Sequence, residues 1–411
     1  MIAFQNIRIF DGESNRLAEG KTVVVEGGRI SAVSDAPAPH GAEVLDCGGR
    51  VLMPGLIDAH VHAYANDVNV GVISSTPPTL YAHHAAFMLG NMLNRGFTSV
   101  RDTGGADYGL ALAISKGYFP APRLFYCEKA ISMTGGHGDF RHPHHHHPLE
   151  DCVTCGCGSV SHMCAVVDGV PAVLKAVREN LRRGSSFIKI MGSGGVASVG
   201  DSVTGIQFSD EEIRAIVEEV ERHEVYCTAH IHPDRALKRA IMLGIHCIEH
   251  GTLIEPETAR MAADKGTYIV PTMATIAALA EEGAALGFPP ESLEKLALVK
   301  DEAVGRLQHM KAAGVKLGFG TDLLGTLERR QCSEFALRAS VFSNFEILRQ
   351  ATAMNGEVLG EKGRLGVIRP GAYADILLVD GNPLEDISLC AADGTKFPVI
   401  MKDGKFHKRT L

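Results

Sequence analysis

The chain has no tryptophan, and only 6% of its residues are aromatic; that absence excludes nothing by itself. Basic charge is the scarcer sign: 40 lysines and arginines stand against 48 aspartates and glutamates, a formal net charge of −8. A nucleic-acid binder needs a basic face to meet phosphates, so no nucleic-acid partner is expected. No uninterrupted apolar run approaches the roughly 20 residues that cross a bilayer, so no membrane association is expected either. The start, Met1-Ile2-Ala3-Phe4-Gln5, lacks a basic region followed by a continuous apolar stretch, and a secretory leader is not expected. A cytoplasmic location follows by default, with the ten cysteines mostly reduced. No Gly-x-Gly-x-x-Gly turn follows a first strand, which weighs against an open doubly wound sheet. Internal repeats are not apparent.

What is present is a soluble globular composition, 45% hydrophobic and 21% charged over 411 residues. Its 45 glycines suit many tight strand-to-loop turns. Near the start, residues 4–10, 22–26 and 30–33 are short runs rich in Val, Ile and Phe, punctuated by Asp11-Gly12 and Gly27-Gly28. The far end looks alike, with strands at 374–379 and 398–401. Between them, strand patterns at 51–62, 98–102, 123–130, 187–191, 225–232, 247–251, 268–272 and 316–322 alternate with helical ones. Ser209-Asp210-Glu211-Glu212 opens a capped amphipathic helix, and 256–264 and 293–313 read as others. The expected class is α/β: a (β/α)8 TIM barrel with a small β-sandwich formed by both chain ends. The expected division is 1–54 with 355–411 for the sandwich and 55–354 for the barrel.

Metal-ligand-type residues close these strands. Residues two apart on a strand share a face, so His60 and His62 point the same way and can bind one ion. His230 and His250 each end an apolar run, and each alone is equally a hydrogen-bonded core histidine. Asp322 ends another run and alone could cap the next helix. Lys189 lies inside Phe187-Ile188-Lys189-Ile190-Met191, where a charged ammonium is costly. It is either paired with a carboxylate or neutral and able to add carbon dioxide as a carbamate. Jointly these strand ends favour a metal site over a set of unrelated core residues. Arg101 and Asp102 end the second strand and either line the pocket or pair with each other.

The chain resembles the amidohydrolase superfamily. The matching stretches are Pro54-Gly55-Leu56-Ile57-Asp58-Ala59-His60-Val61-His62, Phe187-Ile188-Lys189-Ile190-Met191, Thr228-Ala229-His230, Ile248-Glu249-His250-Gly251, Gly320-Thr321-Asp322 and the tail from Gly363 to Asp375. Thr134-Gly135-Gly136-His137-Gly138-Asp139 and Ser193-Gly194-Gly195-Val196-Ala197-Ser198 are similar to the metal-dependent prolidase branch, related to imidazolonepropionases. Members of that branch remove a C-terminal proline or other amino acid, and some related proteins cut the amide of ochratoxin A. The resemblance implies two divalent ions, zinc by ligand chemistry: His60, His62 and Asp322 on one, His230 and His250 on the other, carbamylated Lys189 bridging. It implies Asp322 as catalytic base and acid. His137 and His232 are candidate substrate contacts, each otherwise a hydrogen-bond partner of another ligand or of backbone, with Arg101 a further candidate. His137 also counts as catalytic if it holds the carbonyl. Relatives often have tyrosine where His232 stands, which puts the proline preference in question. The implied partner is a small-molecule or dipeptide substrate bearing a carboxylate, and relatives of this kind are commonly homo-oligomers.

Two alternatives stand beside this reading: a one-metal cyclic-amide hydrolase or deaminase, and a non-catalytic barrel used for binding or assembly. The run His142-Pro143-His144-His145-His146-His147 with Cys152, Cys155, Cys157, His162 and Cys164 stays open between a lid, a separate zinc site and a solvated loop.

Overall fold

The protein is described here by a computed structural model covering residues 1–141 and 161–411. Eight parallel strands make the barrel: Leu56–Val61, Phe97–Asp102, Arg123–Tyr126, Ile188–Met191, Cys227–Pro233, Cys247–Leu253, Tyr268–Val270 and Lys316–Leu317. Neighbours pair in parallel from the first strand to the third and from the fourth to the eighth. Ser186 N–H donates to the Tyr126 carbonyl at 2.8 Å and joins the two sets. Closure comes from Ala59 N–H to the Phe319 carbonyl and Asp322 N–H to the His60 carbonyl, both 2.8 Å. Most barrel strands are buried on both faces because helices such as Val170–Arg182 and Asp210–Arg222 cover the outside; Arg123–Tyr126 is half-buried and Lys316 exposed. Ser209 caps the second of these through a full capping box with Glu212.

Several expected element bounds are corrected. The single strand over 51–62 is two. Glu43–Pro54 belongs to the terminal sheet, and the chain turns into the barrel at Gly55. A Cβ at Gly55 would lie 2.0 Å from Thr98 Oγ1, so only glycine lets the chain pass there. The strand over 123–130 breaks around Glu128, whose φ is 61°; Ala130–Ser132 continues beside the fourth strand and also pairs with Cys164–Val166. The helix over 293–313 is two helices, Pro290–Lys300 and Ala303–Ala313, and no proline or glycine marks the break.

The chain ends build one seven-stranded sheet. Its order is Lys405–Arg409, Val399–Lys402, Ile376–Val379, Glu43–Pro54, Ile2–Ile9, Thr22–Glu26, Arg29–Ser34. It folds over on itself, with Ile30 N–H donating to the Ala372 carbonyl at 2.9 Å. Phe4, Ile7, Val23, Leu52, Ile376 and Met401 fill its core. Asn355 ties the barrel floor together: its side-chain amide donates to the carbonyls of Ile57 and Phe319 and accepts from Phe319 N–H. Among the described residues, no helix is long and apolar enough to cross a membrane.

Candidate functional site

Strand alternation decides what reaches the barrel mouth. His60 with His62, Lys189 with Met191, and His230 with His232 are pairs two apart, and all six side chains line one pocket together with His137, His250, Thr272 and Asp322. The cavity encloses about 840 Å³, its open mouth included, the size class of small-molecule sites. It lies at the carboxyl ends of the strands, where barrel loops converge.

One half of the pocket is built around Asp322. His60 Nε2 and His62 Nε2 lie 3.3 and 3.2 Å from its Oδ1. The outer ring nitrogens are already committed. His60 Nδ1 sits 2.7 Å from the Glu249 carboxylate, and His62 Nδ1 sits 2.9 Å from the Gly104 carbonyl. Both partners only accept, so both Nδ1 atoms carry the proton, and in the neutral rings both Nε2 atoms present lone pairs toward Asp322. Two lone pairs and a carboxylate oxygen, all within 4.8 Å of one another, repel unless a cation lies between them. The donor set therefore fits a divalent metal.

Behind His60 runs a buried chain of charge. Glu249 Oε1 accepts from Arg101 at 2.6 Å, and Arg101 Nε donates to the Ala59 carbonyl at 2.6 Å. Burial opposes ionisation of Glu249, but Arg101 and His60 outweigh it and hold the carboxyl well below its usual range. Arg101 is thereby corrected as a pocket residue. It is fully buried beneath Glu249, bonded to protein through Nε and Nη2, and does not line the cavity. Asp102, its sequence neighbour, instead accepts from the N–H groups of Ala63, Gly104 and Ala106 and shapes the loop behind His62.

The other half has different chemistry. The His250 ring packs against those of His60 and His230, at 4.9 and 4.6 Å between centroids. Its Nδ1 is held by the Thr272 hydroxyl at 2.7 Å. His230 Nε2 is buried, and no described residue hydrogen-bonds it. Burial drives both imidazoles well below their ordinary pKa, so both are neutral ligand-type groups. Lys189 is 1% exposed. Among the described residues, no carboxylate lies within ion-pair distance of its amine. Burial lowers its pKa against the pull of Glu249 and Asp322, which favours the free amine. His250 and Asp322 have φ of 72° and 54°, the left-handed region that side chains other than glycine rarely enter. Such conformations persist where the surroundings dictate them, and they cluster at functional sites.

His137 and His232 lie in the same pocket. The His137 ring stacks on His230 at 4.1 Å, and His232 stacks on His250 at 5.0 Å. Burial pushes His137 down to about 4 and His232 to about 3. His137 Nδ1 meets Ser198 Oγ at 2.7 Å, while His232 Nδ1 is held by Thr252. Sequence reading missed Glu249, Thr272, Thr252 and Ser198 as partners. Glu249 carried a usable signal, a carboxylate inside an otherwise apolar barrel strand. His142, His144 to His147, Cys152, Cys155 and Cys157 lie outside the described residues. Of the same run, His162 stacks on Tyr81 at 4.2 Å, and Cys164 is a buried strand residue lining the pocket.

Comparison with known proteins places this geometry. Residues 51–405 match the model of the amidohydrolase family. An ochratoxinase from Aspergillus niger is 33% identical over 375 residues, spanning 87% of this chain and 76% of that protein. A solved amidohydrolase superposes with a TM-score of 0.96 at 44% identity, covering 100% of this chain and 99% of the other. A prolidase solved with N-methylphosphonate-L-proline gives a TM-score of 0.94 at 44% identity, covering 99% of each chain.

Proposed function

The chain belongs to the amidohydrolase family and is a hydrolase of amide bonds; from that premise we propose that it is a binuclear metal enzyme releasing a C-terminal amino acid from dipeptides or N-acyl amino acids. The observation that carries the reading is the convergence of His60, His62, Lys189, His230, His250 and Asp322 on one cavity. His60, His62 and Asp322 would hold one ion. His230 and His250 would hold the other, with the carboxylated amine of Lys189 bridging. Imidazole and carboxylate ligands suit zinc. When bound, the ions would acidify a water and polarise the substrate carbonyl.

The chain's own groups do the rest. Lys189, whose amine burial pushes toward the neutral form, would attack carbon dioxide, forming an N–C bond as one C–O π bond opens and releasing a proton. Asp322 takes a proton from the attacking water and returns it to the leaving nitrogen, as base and then acid. His137 and His232 orient the substrate's carbonyl and carboxylate ends. With two dications against one carbamate and one aspartate, the centre stays cationic, which favours an anionic substrate. The relatives' names, ochratoxinase and prolidase, fit an amide whose leaving group is an amino acid.

A one-metal cyclic-amide hydrolase or deaminase is the second reading. It is favoured by the tight group of ligand atoms that His60, His62 and Asp322 form, the only such group among the described residues. The test is a screen of Xaa-Pro, other dipeptides and N-acyl amino acids with added zinc, beside metal analysis. Release of a free amino acid with two ions per chain is expected. Activity only on cyclic amides or amino-heterocycles, with one ion per chain, overturns the proposal. So does a metal-free chain that cleaves nothing.

A further inference from the structure

Behind His137 lies a polar network that the reaction above does not use. Asp201 Oδ1 accepts from Ser198 Oγ at 2.5 Å and from Lys295 Nζ at 2.8 Å. Its Oδ2 accepts from Gly195 N–H at 3.2 Å and from the Gln207 amide at 3.5 Å. Gln207 Oε1 in turn accepts from His137 N–H at 3.0 Å. Lys295 Nζ also donates to the carbonyls of Ser198 at 2.8 Å and Gly195 at 3.3 Å. Both members of the ion pair are largely buried, with side chains 6% and 10% exposed. We propose that Asp201 and Lys295, neither of which lines the pocket, are positioning residues that fix the ring of His137 toward substrate.

Proton counting supplies the first argument. Ser198 has one hydroxyl hydrogen and three polar neighbours: the Asp201 carboxylate at 2.5 Å, the Gly195 carbonyl at 3.4 Å and His137 Nδ1 at 2.7 Å. A carboxylate paired with an ammonium only accepts, so the hydroxyl hydrogen goes to Asp201. The Ser198 oxygen must then accept from His137 Nδ1–H. That fixes one tautomer and leaves Nε2, which no described residue hydrogen-bonds, as the nitrogen free to meet a substrate.

The second argument is steric. A Cβ at Gly195 would lie 2.2 Å from His137 Cε1, so the ring rests directly on the backbone of the loop that Asp201 and Lys295 clamp. The third is continuity. Lys295 belongs to the helix Pro290–Lys300, whose Leu296 and Val299 line the pocket. One ion pair therefore joins the apolar wall, the loop from Gly195 to Asp201 and the His137 ring in a single frame.

The inference rests on the reading in which His137 touches substrate, and the experiment separates the two. Zinc-loaded Asp201→Asn, Ser198→Ala and Lys295→Met proteins are compared with His137→Gln on whichever amide the wild type cleaves. Each is expected to lower kcat/KM about 10- to 100-fold, the usual scale for a group that orients another, with metal content unchanged. Combined with His137→Gln, Asp201→Asn should cost nothing further, because the pair acts as a unit. Lys295→Arg should restore part of what Lys295→Met loses. Nitrogen-15 spectra of histidine-labelled protein should show His137 protonated at Nδ1 in the wild type and a mixed tautomer in Ser198→Ala, whether or not the amide is cleaved. If His137→Gln is harmless, the substrate role of His137 fails and this inference falls with it. If His137→Gln is damaging but Asp201→Asn and Ser198→Ala are harmless, or their effects add to it, the positioning role alone is overturned. Should Lys295→Met not fold, Ser198→Ala still decides, because it removes only a hydroxyl.

Discussion

The rings of His60 and His250 lie 4.9 Å apart, yet the groups behind them differ in kind. His60 is backed by a buried carboxylate that is itself backed by a buried guanidinium, and it faces a second carboxylate, Asp322. His250 is backed by the neutral hydroxyl of Thr272, and its neighbours are His230, His232 and Lys189. One half-site carries its own negative charge; the other would gain one only by the proposed carboxylation of Lys189. A cation is held by anionic and lone-pair ligands together, so the second half-site is the conditional one. The comparison teaches why an amine stands where a carboxylate would be simpler. On the binuclear proposal, its carboxylation would make occupancy of that half depend on carbon dioxide as well as metal.

The strongest way to break the comparison is Lys189→Ala. It should abolish hydrolysis and empty the second half-site while the first keeps its ion, so metal analysis should fall from two equivalents to one. A short carboxylate in the buffer should restore part of the activity. Two retained ions in the variant would show that the second half-site needs no bridging anion.

Next in size is Arg101→Met, which probes the first half alone. Methionine fills much of the space but leaves Glu249 charged and buried without its partner. Breaking a buried pair from one side costs about 3–5 kcal/mol, so chemical denaturation should show a loss of that order even without metal. A loss below about 1 kcal/mol would mean that Glu249 is stabilised mainly by His60 and Thr228.

How far these halves were legible in the sequence follows from their chemistry. His60, His62, His230, His250 and Asp322 could be placed at strand ends, and Lys189 within a strand, because parallel barrel strands are short apolar runs whose side chains alternate. The closing strand was legible as a run over 316–322, but its regular part is only Lys316–Leu317. Gly320 makes room for His60 and Gly318 for Asn355, a tertiary cause invisible in a local pattern. Arg101 was misplaced because a charged residue at a strand end looks the same whether it faces the mouth or sits beneath a carboxylate. Its contact with Glu249 spans 148 residues of sequence, and no spacing rule reaches that far. The same holds for Asp201 and Lys295, which sit 94 residues apart.

Acid stability of the metal-stripped protein should tell the halves apart more gently. His230, His232 and His250 have pKa values held by burial below the ordinary 6.5. As pH falls below that value, the unfolded chain takes up protons before the folded one does. Their contribution to stability, complete above it, is therefore lost progressively downward, toward about 3 for His232. Glu249, depressed from an ordinary 4.5, adds its own loss only below that lower value. Thermal midpoints of the apoprotein should thus begin to fall near pH 6.5 and steepen near 4.5. Loaded metal should delay the first phase, since ligated imidazoles resist protonation. A midpoint flat down to the lower value would mean that the three histidines are solvated.

The smallest expected effect contrasts the two anchors directly. Thr272→Val keeps the shape of a buried side chain and removes only the hydroxyl that holds His250 Nδ1. Glu249→Gln keeps the acceptor oxygen at His60 and removes the charge. Partners of ligating histidines are worth about 10- to 100-fold in metal affinity. The charge-assisted contact belongs at the upper end of that range and the neutral one at the lower, because hydrogen bonds to ionised groups are roughly twice as strong. Competition with a chromogenic chelator should therefore show about a tenfold weaker second ion in Thr272→Val, with the first ion unaffected. Glu249→Gln should weaken the first ion by more. Equal losses in the two variants would mean that the anchors serve only to hold ring geometry, and the charge behind His60 would then have to be explained by the stability of the barrel interior rather than by its ligand.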